Sequence, residues 1–505
     1  MTGPGQGLRG APSTAEDVNK GTLLNKGTLL LRAVLARPLA SYYLLVFSTA
    51  LLLIIGLAMV YSATSVEQFA TSGSALVSIE KQAILAGIGI LAFWLCQRLP
   101  VRTYRALARP GLILAFVLVI ALDVLAILAQ ANVLHDPTFG PVRADELWLY
   151  IGPLQVQPSE LAKIALAIWV ADVLVRKGKS AGAWRDLSRP LFPVAGLLFV
   201  LVGYNDLGTM VCLVVLFVGM LWAAGVRLRI FASMLVVATA GILALIYLPG
   251  NDYRLARIDA FANPELHQQG DAYQVREGLF AIANGGWFGV GLGEGRLKGG
   301  WLPNGHNDFI FAVIAEELGV MGCLVVIGLF AVLAYTGLRI ARRCTNPFRK
   351  LVAAGVTALI AGQATINIAG VVGLMPVTGL PLPLISDGGS ALVVTLAMIG
   401  MLASFARAEP AAAQALHARP PGRLGRLLWA PLPPLPIPVR RGRARHDRTP
   451  EDRTRYDRDT DDRDPDDRDW DDRDWNRRDV DQHGRYDRNR AAARRDGTRR
   501  GDDDV

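Results

Sequence analysis

Cysteine is scarce and scattered. The four present, Cys96, Cys212, Cys323 and Cys344, show neither a CxxC pair nor any metal-ligand spacing. That excludes a thiolate metal site and predicts free thiols rather than a disulfide framework. An early apolar stretch is missing too: residues 1–26 are polar and glycine-containing, so no cleaved signal peptide is expected and the first apolar helix inserts uncleaved. Charge is thin. Asp, Glu, Lys and Arg make up 19% of the chain, against roughly 25% in an ordinary soluble domain.

What fills the chain instead is hydrocarbon. Hydrophobic residues reach 52% of 505, mean hydropathy is +0.31, and the apolar residues come in blocks of about 20, the length that crosses a bilayer as a helix. The blocks fall at 42–62, 81–96, 110–131, 160–175, 190–204, 207–225, 230–248, 309–340, 351–374 and 388–405. This pattern predicts an all-α polytopic membrane protein of ten transmembrane helices, with a large loop, 249–308, between the seventh and eighth. The fifth and sixth are joined by a tight turn, and the eighth is long enough to tilt or to extend beyond the bilayer.

An even number of spans puts both termini on one side, and the basic residues choose the side. Segments 98–109, 176–189, 226–229 and 339–350 all carry Arg or Lys, while 63–80, 132–159, 205–206 and 375–387 carry few or none. By the positive-inside rule both termini are cytoplasmic and loop 249–308 is extracellular. That loop holds Arg254, Arg257, Arg276, Arg296 and Lys298, which call for an anionic ligand or an anionic headgroup surface. No nucleic acid partner is expected.

The ends differ from the body. Residues 1–41 are read as a disordered cytoplasmic N-terminus, 42–410 as the membrane domain and 411–439 as a proline-rich linker. Residues 440–505 form an Arg/Asp tract almost free of aliphatics, whose charges nearly cancel and which buries too little apolar area to order itself. Trp470, Trp475 and the acidic cluster 502–504 are the positions a partner would read there.

The stretch 301–319 draws the polar features together. His306, Asn307 and Asp308 sit where the eighth helix leaves the membrane, so Asp308 is within water's reach yet beside hydrocarbon. Asn307 or Asp308 would serve as N-cap of a helix starting at Phe309; the other reading of Asp308 is a working carboxylate. Glu316 and Glu317 follow two turns on, where ionisable groups are costly and face a cavity or a partner. Glu160 and Lys163 form an i, i+3 pair near the end of the fourth helix, either settling two charges at an interface or offering a cation to a ligand. Arg254 and Arg257 are equally readable as phosphate ligands or as snorkelling side chains. The glycines at 285, 286, 289, 291, 293 and 295 suggest a flexible or re-entrant loop; with no preceding strand and no βαβ unit they are no dinucleotide fingerprint. Pro376, Pro381 and Pro383 point to irregular backbone lining a cavity. Asn367 is set to hydrogen-bond a neighbouring helix, and Asp123 and Asp172 have no assigned role.

Several motifs recur in one order: Gln157-Pro158-Ser159-Glu160-Leu161-Ala162-Lys163, Asp206-Leu207-Gly208-Thr209, Gly289-Val290-Gly291-Leu292-Gly293, His306-Asn307-Asp308-Phe309-Ile310-Phe311, and Thr378 to Ser386 before Gly388-Gly389-Ser390. On ten helices this resembles the SEDS family (shape, elongation, division, sporulation) over about 42–410, its division member more than its elongation member. The chain departs from the family pattern at Leu147, Tyr204-Asn205, Glu277-Gly278 and Asp387. The resemblance implies a peptidoglycan glycosyltransferase polymerising lipid II at the division septum beside a class B penicillin-binding protein, with other division proteins met through the tail. It places the essential acid at Asp308 and implies substrate contacts at Ser159, Glu160, Lys163, His306 and Asn307, with Arg254 and Arg257 as candidates.

Independently of the family, inversion at an anomeric carbon needs a base for the acceptor hydroxyl, and one carboxylate suffices because a diphosphate already leaves well. The leaving diphosphate needs cationic help, from Lys163 or a divalent cation, Mg2+ or Mn2+. The alternatives are a lipid II flippase that dispenses with Asp308, a non-catalytic division scaffold, and an elongation role.

Overall fold

Each apolar block coincides with a helix in the computed structural model, which describes residues 35–72, 77–130, 138–139, 142–144, 148–151, 154–178, 189–246, 259, 261–262, 271–296, 302, 305–418, 422 and 431–435. In chain order the helices are α1 (Ala40–Ser72), α2 (Val77–Arg98), α3 (Val101–Gln130), α4 (Pro158–Lys177), α5 (Leu191–Asn205), α6 (Leu207–Ala223), α7 (Leu228–Ile246), α8 (Asp271–Gly285), α9 (Ile310–Arg343), α10 (Pro347–Val371), α11 (Ser390–Arg407) and α12 (Pro410–Ala418). By length and composition α1, α2, α3, α9, α10 and α11 can each cross a membrane, and α5, α6 and α7 contain shorter apolar stretches. Helix α4 has the length but carries Glu160, Lys163, Asp172, Arg176 and Lys177.

Local chemistry sets the ends. Asp206 caps α6, its Oδ1 accepting from Thr209 N at 2.8 Å. Asn346 caps α10 by accepting from the amides of Phe348 and Arg349. Pro158 and Pro347 open α4 and α10 at the first turn, where a missing N–H costs nothing.

Helix α11 packs on α2, α9 on α10 and α1, α10 on α6, and α3 on α4. Helix α11 is the most enclosed of the six long apolar helices. Large side chains such as Phe47, Ile54, Ile113, Leu235 and Val237 face outward, the surface a bilayer requires. One end of the bundle gathers the starts of α4, α9 and α11 with the end of α10: Gln157 N donates to Ser390 Oγ at 2.9 Å, Asp387 N to the His306 carbonyl at 3.1 Å, and Asn367 Nδ2 to the Asp308 carbonyl at 2.8 Å. At the other end Arg343 pairs with Glu409 at 3.5 Å and Arg339 donates to the Leu35 carbonyl.

Three features depart from the sequence reading. The α3–α4 connection carries a small antiparallel meander, β1 (Thr138–Phe139), β2 (Val142–Ala144), β3 (Leu149–Ile151) and β4 (Leu154–Val156), paired in that order. Helix α12 occupies the start of the segment read as linker; Pro410 fits a first turn, and the alanines after it are the best helix formers. Helix α9 is broken at Gly319, whose φ of 67° and ψ of −167° lie outside the helical region. The glycine-rich loop after α8 fills the break: Val290 N donates to the Glu316 carbonyl, Gly291 N to that of Glu317, Val320 N to that of Gly286 and Met321 N to that of Trp287, all at 2.9–3.2 Å. A side chain at Gly289 would put its Cβ 2.1 Å from the Glu317 carbonyl oxygen, so the close approach requires glycine. These bonds satisfy backbone groups that the break in α9 would otherwise leave open.

Candidate active site

Asp308 lies in a turn just before α9, and its 7% exposure makes it a buried carboxylate. The N-cap position is Phe309, beyond both Asn307 and Asp308, and the Phe309 side chain offers no cap. His306 and Asn307 share the turn and are half-buried. The turn is anchored from behind by Asn367 of α10, whose Nδ2 donates to the backbone carbonyls of Asp308 and Leu380, each at 2.8 Å. Asn367 thus bonds a turn and a loop rather than the neighbouring helix expected from the sequence.

The pair from α4 is enclosed. Lys163 Nζ stands 2.6 Å from Glu160 Oε1, with side-chain exposures of 1% and 3%. Charges that deep persist only when paired and hydrogen-bonded. The second bond is to Gln363 Oε1 at 3.3 Å, while Gln363 Nε2 donates to the Pro381 carbonyl at 2.9 Å. Gln363 and Asn367 stand one turn apart on α10, so they face the same way. A continuous relay thus runs from Glu160 through Lys163 and Gln363 to the loop at Leu380–Pro381, and through Asn367 to Asp308.

That loop, 376–389, is tightly held. Leu384 has φ of 68°, a conformation costly for a non-glycine residue. Leu382 N donates to Ser386 Oγ at 2.8 Å and Ser386 N returns to the Leu382 carbonyl at 3.0 Å. A Cβ on Gly208 would fall 2.8 Å from the Thr378 carbonyl oxygen, so the start of α6 also touches the loop. The prolines do mark irregular backbone, as their spacing indicates.

Glu316 and Glu317 serve the broken helix. Glu316 Oε1 accepts from Asn284 Nδ2 and from Arg296 N, both at 3.0 Å, and Glu317 accepts from Ser62 Oγ of α1 at 2.7 Å. Both are 1% exposed. They tie the glycine-rich loop and α1 to the segment that begins at Asp308.

Ser159 is buried at the start of α4. Arg254 and Arg257 lie outside the described residues, as do the tail and most of the linker. Asp172 takes Arg105 and Arg176, each at 2.7 Å. Gln363 escaped the sequence reading: one amide in an apolar helix gives no periodic signal. Among the described residues no three His, Cys, Asp or Glu side chains gather as a metal site.

Comparison with known proteins fits this arrangement. Residues 42–410 match the cell cycle protein family of FtsW, RodA and SpoVE. The chain is 41% identical over 411 residues to the probable peptidoglycan glycosyltransferase FtsW of Mycobacterium tuberculosis, covering 81% of this chain and 76% of that one. It is 34% identical over 369 residues to stage V sporulation protein E of Bacillus subtilis, covering 72% and 96%. Among solved structures, a chain from work on the structural coordination of polymerization and crosslinking by a peptidoglycan synthase complex superposes with a TM-score of 0.53 at 25% identity, over 72% of this chain and 96% of that one. With the motifs in order and the fold matching, this polytopic membrane protein belongs to the FtsW/RodA/SpoVE family, the SEDS proteins.

Proposed function

We propose that the chain is a peptidoglycan glycosyltransferase that polymerises lipid II into β-1,4 glycan during septal wall synthesis, with Asp308 as general base. One observation carries the site: the buried Asp308 turn and the buried Glu160–Lys163 pair are held by Asn367 and Gln363 on one face of α10. A carboxylate and an ammonium are the two groups the reaction needs. Asp308 takes the proton of the attacking acceptor hydroxyl; Lys163 faces the charge that develops on the leaving diphosphate, with Glu160 fixing its position. Ser159, His306 and Asn307 border these groups, and a divalent cation, Mg2+ or Mn2+, would add charge neutralisation at the diphosphate.

The likeness to proteins named probable peptidoglycan glycosyltransferases supports the reaction class, and the likeness to a synthase complex supports a class B penicillin-binding protein as partner. Basic residues at the end of the bundle away from Asp308, among them Arg105, Arg176 and Arg343, support a cytoplasmic location for that end and for both termini.

The test is polymerisation of lipid II by the purified protein with its class B partner, wild type against Asp308→Asn. Asparagine keeps the size and removes the base. Polymer from the wild type and none from an equally folded variant is the expected result; equal polymer from both overturns the base assignment. No polymer from either favours transport or scaffolding.

A further inference from the structure

At the end of the bundle that holds Glu160, the helices α3, α4 and α5 leave a half-open pocket of about 20 Å3, lined by Val119, Leu122, Asp123, Pro158, Ser159, Val202, Asn205 and Asp206. Its walls are apolar and its polar groups are nearly all oxygen acceptors. Asp123 and Ser159 are 9% and 8% exposed, and Asp123 Oδ2 and Ser159 Oγ, both buried, have no hydrogen-bond partner among the described residues. The other oxygen of Asp123 accepts from Asn205 Nδ2 at 2.7 Å, which aims the carboxylate. Asp206 accepts from Thr209 N at 2.8 Å and from Gln157 Nε2 at 3.0 Å.

Charge decides what belongs there. Among the described residues neither Asp123 nor Asp206 has a Lys, Arg or His within ion-pair distance, while Lys163 is committed to Glu160 at 2.6 Å. Buried Glu160 and Asp123 and the half-buried Asp206 thus have one ammonium among them. Water could satisfy the open oxygens but would leave the charge. An oxygen-only set with one or two carboxylates is what a hard cation takes when it keeps several of its own waters, and a half-open pocket leaves room for them at its mouth.

We propose that this pocket binds a hard divalent cation of the Mg2+ or Mn2+ class, with Asp123 Oδ2 and Ser159 Oγ as direct ligands and Asp206 as the second carboxylate. The site lies one residue from Glu160, so the ion would raise the positive potential on the side of the bundle where Lys163 stands. Binding itself is independent of the glycosyltransferase reading and is measured without substrate.

Mn2+ is titrated into the purified, chelator-stripped chain in detergent, and free Mn2+ is read by its paramagnetic resonance signal. The wild type should show one saturable site. Asp123→Asn, which keeps the bond from Asn205, should weaken it by about tenfold or more, and Ser159→Ala by less. Thermal melting without metal checks that each variant is folded; if Asp123→Asn is not, Ser159→Ala decides. No saturable site in the wild type overturns the proposal, as does wild-type affinity in the deciding variant. Retention in Asp123→Asn with loss in Asp308→Asn would place the ion at Asp308 and overturn it too. Loss of Mn2+ binding beside intact polymerisation would leave the base assignment standing, so the two failures are distinguishable.

Discussion

The side-chain amide of Asn367 donates to the backbone carbonyl of Asp308 at 2.8 Å and, at the same distance, to that of Leu380. One turn earlier on α10, Gln363 joins Lys163 to the Pro381 carbonyl. Helix α10 thereby sets the position of the carboxylate relative to the buried ammonium, although the two lie on different helices and far apart in sequence. Positioning of this kind matters because a misplacement of about 1 Å can cost about a hundredfold in rate.

Replacing Asn367 by Ala therefore has a defined cost. Two buried carbonyls lose their donor, which should destabilise the fold by about 1–3 kcal/mol. If Asp308 is the base, as proposed, polymerisation should fall in kcat more than in KM, because the loosened turn misplaces it without removing a substrate contact. Thermal melting and steady-state kinetics check both parts; an unchanged kcat in a folded variant would remove Asn367 from the positioning role.

Gly319 gives a second test. Its φ is 67°, and a Cβ there would fall 2.4 Å from the amide nitrogen of Gly289. Gly319→Ala must either strain the backbone or expel the loop that bonds the broken ends of α9. The expected loss is about 2–4 kcal/mol, large for one methyl group. A melting temperature equal to the wild type would mean that the break in α9 is not part of the native state.

Much of this was legible in the sequence, for physical reasons that differ by element. The apolar helices announce themselves because hydrocarbon demands long apolar runs, and Asp308 with the Glu160–Lys163 pair stand out because charge is rare beside such runs. The meander is hidden: strands of two or three residues are shorter than any alternation can reveal. Gln363 and Asp123 are single polar residues whose partners, Pro381 and Asn205, come from other elements, and only packing reveals them. The cap position of α9 falls at Phe309, beyond both Asn307 and Asp308, because these short polar residues, the usual caps, lie in the turn that Asn367 fixes. Gly319 reads as an ordinary glycine in an apolar helix until the loop from Gly286 is seen to enter beside it.

Glu409 links stability to pH. It lies between α11 and α12 and is 1% exposed. Burial, the dominant influence, holds its carboxyl above the ordinary value. The Ser41 hydroxyl, then Arg343 at 3.5 Å, then Arg339 pull in the opposite direction without offsetting it. A raised folded value means that the group's stabilising contribution is complete below the ordinary glutamate range and is lost as pH rises through the folded value. Glu409→Gln cannot ionise, so its melting temperature should rise relative to wild type as pH climbs above the ordinary glutamate range. A difference that stays flat, or that falls, would show that Ser41 and the arginines Arg343 and Arg339 govern Glu409 instead.

The Glu160–Lys163 pair allows structural and chemical roles to be separated. Removing either partner leaves an uncompensated buried charge, so Glu160→Gln and Lys163→Met should each cost about 3–5 kcal/mol. The double variant Glu160→Gln/Lys163→Met leaves neither charge, and buried pairs replaced together are often neutral in stability. Its melting temperature should recover most of the loss. Under the proposed role of Lys163, polymerisation should not recover, because the ammonium assigned to the diphosphate is gone. If the double variant regains both stability and polymerisation, the pair only settles two charges in the interior, and the cation for the leaving group must come from elsewhere.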